Sequence, residues 1–261
     1  LLLVPALSAL AADSAPAASE SKGFRPIRIK PKGEAKAASS GDLLAPDTDN
    51  IDTPTTAVLD YGGYATRTRF YANGGMLEYV NFGIFQNLNL GASLTIDGII
   101  GNDRTVRVRA PQVQVKYRFY EGDRYVPSFA AGYDGQGWDY ASTEHRYNHR
   151  QRGFFVVASE ELGVPGLLVH PQFNISDFDS NSFFGSIPLS YNILDKVEPM
   201  VEWDNINNFH ESRFNAGARF NVTPHFNLDF AVRGIGQGGD FPNGDSRGPE
   251  RIVQLRYSGN F

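Results

Sequence analysis

From about residue 57 to the last residue, apolar and polar positions alternate with a period of two. Leu88, Leu90, Ala92, Leu94 and Ile96 take turns with Asn89, Gly91, Ser93 and Thr95. Val113, Val115, Tyr117 and Phe119 alternate with Gln112, Gln114, Lys116 and Arg118. The same holds for Val197, Pro199, Val201 and Trp203 against Glu198, Met200 and Glu202. Phe214, Ala216, Ala218 and Phe220 alternate with Arg213, Asn215, Gly217 and Arg219, and Phe226, Leu228, Phe230 and Val232 with Asn227, Asp229, Ala231 and Arg233. Successive side chains of a strand point to opposite faces, so each segment has one apolar and one hydrophilic face. The pattern predicts strands at 57–71, 76–84, 88–97, 110–119, 126–135, 152–160, 166–175, 183–191, 196–203, 212–220, 226–235 and 250–261. That is twelve, an even number, most of them near the ~9–11 residues of a tilted membrane strand. Alternation is poor in 57–71 and 152–160, and no segment carries a helical period.

The connections carry an independent signal. Those after the even-numbered strands are short: 85–87, 120–125, 161–165, 192–195 and 221–225. Those after the odd-numbered strands include the three longest, 98–109, 136–151 and 236–249. The expected fold is therefore all-β: a transmembrane antiparallel up-and-down β-barrel of about 12 strands in the bacterial outer membrane, with short periplasmic turns and longer extracellular loops. Its apolar set meets outer-membrane lipid. Tyr117, Phe119, Tyr191, Phe220, Phe226, Tyr257 and Phe261 fall at the short-turn ends, where an interfacial girdle sits, and Trp203 at the other rim. Phe261 shares a face with Val253, Leu255 and Tyr257. Tyr257 and Phe261 thus resemble the C-terminal signal read by the barrel-assembly machinery.

The N-terminal part reads differently. Residues 1–11 are apolar, with Ala9 and Ala11 in small-x-small spacing, and are expected to be a signal peptide remnant cut after Ala11 or Ala12. Residues 12–55 are rich in Ala, Ser, Pro, Lys and Asp and almost free of aromatics. Such a composition buries too little apolar surface to offset ordering entropy, which predicts a disordered periplasmic N-terminal arm before a barrel at 56–261. Within the arm, 24–32 (FRPIRIKPK) is basic, with alternating apolar residues. It reads as a solvated linker or as a contact for a periplasmic partner.

Composition narrows the choices. The 261 residues include no Cys, which removes disulfides, thiolate metal sites and a cysteine nucleophile. A net charge of −5 without a long basic block argues against nucleic acid. Past the N-terminus no run approaches the ~20 apolar residues of a spanning helix.

With the apolar set outside, Asn89, Lys116, Arg118, Glu198, Glu202, Arg213, Arg219, Asp229, Arg233, Gln254 and Arg256 line the lumen. Folding each hairpin about its loop centre sets Glu202 opposite Arg213 and Asp229 opposite Arg256, pairs of opposite sign that brace a charged interior. Twelve strands lie between small filled barrels and wide porins. That leaves a narrow pore for small polar solutes, an exopolysaccharide-related transport or scaffold role, or a structural or adhesive barrel with a blocked lumen.

Candidate chemistry is sparse. Trp138, Tyr140, His145, Tyr147 and His149 in the third outer loop mix rings with hydrogen-bonding groups, which suits stacking on a polysaccharide or an aromatic rim at the membrane interface. The four-residue spacing of His145 and His149 brings them together only on a helix, so no metal is expected. Asp177-x-Asp179-x-Asn181 copies the start of a calcium loop, but Ser182 replaces the turn glycine and Pro188 the closing Glu. His170 alone lies inside a strand, on a lumen parity beside Gln172, with no nucleophile pattern around it. No catalytic residue and no cofactor are expected. A hydrolase would show ester turnover lost on changing His170.

Several stretches resemble the YjbH-like family of outer-membrane barrels associated with exopolysaccharide production. They are Asp52-Thr53-Pro54-Thr55-Thr56-Ala57, Tyr117-Arg118-Phe119-Tyr120-Glu121, the run from Pro127 to Asp134 (PSFAAGYD), Val201-Glu202-Trp203-Asp204 and Asn215-Ala216-Gly217-Ala218-Arg219-Phe220. The resemblance spans about 50–261 and implies a barrel with an exopolysaccharide-related role.

Overall fold

A computed structural model describes residues 44–101, 105–141, 145–176, 183–207, 212–241, 244 and 247–261. Twelve antiparallel strands close into a barrel. They are β1 (Gly63–Tyr71), β2 (Gly75–Phe85), β3 (Leu88–Asp97), β4 (Gln112–Tyr120), β5 (Ser128–Asp134), β6 (Gly153–Glu161), β7 (Leu167–Val169 and Gln172–Ile175), β8 (Phe183–Tyr191), β9 (Val197–Asp204), β10 (Arg213–Asn221), β11 (Phe226–Ile235) and β12 (Glu250–Asn260). Each strand pairs with the next, and β12 returns to β1 with Gly63 opposite Asn260 and Phe70 opposite Val253. Among the described residues, closure leaves no unpaired edge in the wall, which a spanning sheet in lipid requires.

Burial is inverted relative to a water-soluble protein. On β4, Val113, Val115, Tyr117 and Phe119 are 36–56% exposed, whereas Glu202, Asp204, Asn215 and Arg219 are fully buried inside. An apolar outer belt around a charged interior is the architecture of a transmembrane barrel. The apolar belt therefore faces membrane lipid, as the alternation predicts.

Two strands depart from the expected list. The segment 166–175 is interrupted at His170 and Pro171, because Pro171 has no N–H for the ladder and its carbonyl instead accepts from Ala158 N at 3.0 Å. The first strand begins at Gly63 and not at 57. Ahead of it, residues 44–60 run inside the barrel. The last part of the expected arm, 44–55, is thus an ordered occupant of the lumen, and the rest of 12–55, like 1–11, lies outside the described residues.

This inner segment, the strap, is a loop inserted from the short-turn rim. Ala45 N donates to Pro224 O in the turn between β10 and β11 at 3.3 Å. The chain reverses at 50–53, where Asn50 N donates to Thr53 O at 2.9 Å, and returns toward β1. Gly62, at φ 78°, makes the corner from lumen to wall. Gly83 on β2 allows the descending leg to pass, because a Cβ there would stand 2.0 Å from Asp60 O. From the opposite rim, a hairpin of Trp138–Ala141 and Arg146–His149 accompanies the loop between β5 and β6.

Candidate functional site: the charged lumen and its strap

Alternation aims Arg67 and Arg69 of β1, Lys116 of β4, Glu198, Glu202 and Asp204 of β9, Arg213 and Arg219 of β10, Asp229 and Arg233 of β11, and Glu250, Gln254 and Arg256 of β12 into the interior. The strap supplies the carboxylates that this wall lacks. Asp47 meets Arg219 at 2.5 Å. Asp49 sits between Arg67 and Arg256, paired with both. Asp52 bridges Arg69 and Arg233, each at 2.8 Å. Backbone carbonyls of the strap also accept: Lys116 Nζ donates to Thr48 O at 2.7 Å and Arg256 to Asn50 O at 3.0 Å. Charge-assisted bonds of this kind are stronger than neutral ones, and breaking one buried member leaves an uncompensated charge.

Glu202 receives the bend of the strap. Its carboxylate accepts from the backbone N–H groups of Ile51, Asp52 and Thr53 at 2.9–3.1 Å and from Thr53 Oγ1 at 2.6 Å. Ile51, 1% exposed, enters an apolar spot made by Met200, Ala231 and Ile252. Apolar side chains facing the inside of a polar lumen have no role in an aqueous bore; they fit an inserted segment.

The expected cross-strand pairs are partly corrected. Glu202 stands opposite Asn215, not Arg213, and Asn215 Nδ2 donates to it at 3.0 Å. Arg213 stands opposite Asp204, which it pairs at 2.9 Å. Arg152 grips the same Asp204 with both fork nitrogens, at 2.9 and 2.8 Å. Asp229 is directly opposite Gln254, yet reaches Arg256 diagonally at 2.6 Å and Arg219 at 3.0 Å. Both registers differ from the loop-centred estimate by two residues, a shift that keeps every face and changes the partners. Arg118 lies at the short-turn rim, bonded to Asn87 at 2.7 Å and Glu121 at 3.2 Å.

Arg67, Arg69, Arg152, Asp204, Glu250 and the three strap aspartates were not singled out by the sequence pattern. In β1 the Arg-Thr-Arg repeat obscures the alternation. In the strap, Asp47-x-Asp49-x-x-Asp52 is diluted within a long polar stretch.

The outer-loop residues do not form one surface. Trp138 is buried against Tyr71, Leu77 and Tyr79. The Arg69 and Arg233 guanidiniums lie 5.0 and 4.2 Å from its ring centroid. His149 packs on Trp138 at 5.2 Å and on Phe241 at 5.3 Å. Burial, with Arg233, Arg213, Arg69 and Arg247 around it, holds its imidazole well below the usual value, so its 3.6 Å approach to Glu250 is not an ion pair. Tyr140 and Tyr147 meet edge to face at 5.2 Å, and His145 is exposed. Among the described residues no three of His, Cys, Asp or Glu stand together as metal ligands. The calcium-like motif at 177–181 and the basic segment 24–32 lie outside the described residues.

His170, 3% exposed, has Nδ1 2.7 Å from Ser159 Oγ and Nε2 3.5 Å from Ser190 Oγ. Ser159 Oγ in turn accepts from Thr56 N at 3.2 Å, so the pair seats the returning leg of the strap. At the seam of the barrel, Tyr64 packs against Tyr257 at 6.1 Å and Phe261 at 5.0 Å.

No family model and no curated protein matches the sequence. Among solved structures, the chain is similar to a mutant of the Rh. blastica porin at 11% identity, over 72% of this chain and 56% of that one, with a TM-score of 0.35. It therefore spans little more than half of that porin's length. It is also similar to the NanC porin, at 11% identity over 76% and 99% of the two chains, with a TM-score of 0.39. The outer membrane protein Omp33 of Acinetobacter baumannii is matched at 8% identity over 77% and 99%, also with a TM-score of 0.39.

Proposed function

We propose that this chain is an outer-membrane channel for small polar solutes whose lumen is shut by its own strap and opens when the strap withdraws toward the periplasm. The observation that carries this reading is the seating of the turn 50–53: Ile51 in its apolar spot, its N–H groups on Glu202, and Asp52 between two arginines. A wall built only to brace itself would pair all of its own charges, whereas here Arg67 and Arg69 pair with strap aspartates. This wall completes itself with a segment that enters from one rim.

Planar-bilayer recording tests it. With the bend fixed to the wall through Ile51→Cys and Ile252→Cys and a short bifunctional thiol reagent, the barrel stays silent. The variant D47N/D49N/D52N opens in steps. A bridged chain that conducts as well as the unbridged one refutes the gate.

The same filled lumen favours a second reading, a scaffold or adhesive barrel with a permanently blocked lumen, which predicts silence in D47N/D49N/D52N with heat-modifiable folding intact. An exopolysaccharide-related role belongs with either reading. Its support is the family resemblance and the rings of Tyr140 and Tyr147, since Trp138 and His149 are committed to the interior. No catalytic step is assigned. The barrel-assembly machinery is the proposed reader of Tyr257 and Phe261, and the arm before the strap is the proposed handle for a periplasmic partner.

A further inference from the structure

The strap does not fill the lumen evenly. Between it and the wall of β1–β4 lies a cavity of about 90 Å³, whose lining includes Arg67, Arg69, Lys116, Tyr79, Asn81 and Gln114. Among the described residues, Arg67 and Arg69 have no ion-pair partner on the wall; their carboxylates are Asp49 and Asp52 of the strap. Among the described residues, Lys116 has no carboxylate within ion-pair distance and donates to strap carbonyls. Arg67 Nε and Gln114 Oε1 are buried and find no hydrogen-bond partner among the described residues. The opposite wall is better matched, with Arg219, Arg233 and Arg256 sharing Glu198, Asp229 and Glu250. Excess positive charge is therefore concentrated on the β1–β4 side, where the strap's aspartates answer it.

We propose that Arg67, Arg69 and Lys116 form the binding site for a carboxylate-bearing solute, and that Asp49 and Asp52 hold that place while the lumen is shut. The inference deepens the gated-channel reading and rests on it. Guanidinium forks match planar carboxylates, and the strap displays that chemistry seated in the site. Withdrawing Asp49 and Asp52 leaves two guanidiniums and an ammonium facing a low-dielectric cavity in which Asp134 is, among the described lining residues, the remaining carboxylate, an imbalance that an entering anion relieves. The closed lumen thus carries its own substrate-like group, and a solute carboxylate competes with the strap for the same cations.

The test uses the full chain with D47N/D49N/D52N, each variant first checked for folding by its boiled-versus-unboiled gel shift. In a tenfold KCl gradient, the reversal potential takes the sign of chloride selectivity. Adding R67Q/R69Q moves it toward zero or past it, and K116Q moves it part of the way. R251Q, on the outward face of β12, leaves it unchanged. Millimolar succinate reduces the current more than equimolar phosphate does. A channel that conducts but prefers potassium, or whose selectivity survives R67Q/R69Q, overturns the site and leaves the gate standing. If no current is seen, calorimetric titration of the detergent-purified D47N/D49N/D52N protein with succinate decides the site separately. Saturable binding weakened at least tenfold by R67Q/R69Q sustains it while the gate falls. Absence of binding overturns it.

Discussion

Two segments enter this barrel from opposite rims, and they are held by different physics. The strap is fixed mainly by charge, with the Ile51 side chain as an apolar anchor at its bend: three aspartates on five arginines, and three backbone N–H groups on Glu202. The outer hairpin is fixed by packing, with Trp138 against Tyr71, Leu77 and Tyr79. Removing the hairpin costs buried apolar contact, whereas removing the strap strands charges in a medium that solvates them poorly. A segment held by charge can be exchanged for water and ions; a segment held by rings has no such substitute. The two meet where Asp52 bridges Arg69 and Arg233, the same guanidiniums that flank Trp138.

The largest expected effect is at Arg219, which serves Asp47, Glu198 and Asp229 while fully buried. R219A strands those carboxylates and is expected to cost about 3–5 kcal/mol, read from denaturant unfolding in lipid vesicles. A loss below about 1 kcal/mol, the scale of an exposed pair, would mean that charge does not anchor the strap. W138A comes next, at about 3 kcal/mol by the usual cost of truncating a buried indole. Its damage should be confined to the hairpin, seen as faster proteolysis within 138–149 while the strap stays protected. I51A should cost about 2 kcal/mol by loss of its apolar seat and should release the strap, the reverse pattern in the same assay. A double-mutant cycle between Trp138→Ala and Asp52→Asn should show coupling of about 0.5–1 kcal/mol through the shared arginines. Strict additivity would separate the two segments energetically.

The smallest effect concerns pH. His149 is neutral in the fold because burial and four nearby guanidiniums depress its pKa, whereas the unfolded ring titrates near 6.5. The unfolded state therefore binds more protons, and the hairpin loses stability as pH falls below about 6.5. H149Q should flatten that dependence in a proteolysis assay run from pH 8 to 5.

Much of the wall was legible from residue order because its environment repeats every second residue. The lipid-facing positions Leu90, Tyr117, Phe214 and Phe230 and the lumen positions Lys116, Glu198, Arg219, Asp229 and Arg233 follow from parity alone. The strap was not legible. Its ordering depends on Asp47, Asp49 and Asp52 finding Arg67, Arg69, Arg219, Arg233 and Arg256, partners as distant as 207 positions along the chain. Averaged over 12–55, the composition resembles that of an unstructured tail. Met200 and Ile252 show the same limit: an apolar residue on an inward parity looks like a flaw in the pattern until Ile51 is seated on them.

Amino-acid order thus determined the twelve-strand plan, the facing of most side chains outside β1 and the contrast between a short-turn rim and a long-loop rim. Those are local consequences of a two-residue period and of loop length, and a register change of two residues does not disturb them. Tertiary structure decided which charges meet, which loop turns inward and what occupies the bore. Those outcomes belong to residues far apart in the chain, and only closure of the wall sets them within a few ångströms of each other, where low dielectric makes their pairing matter.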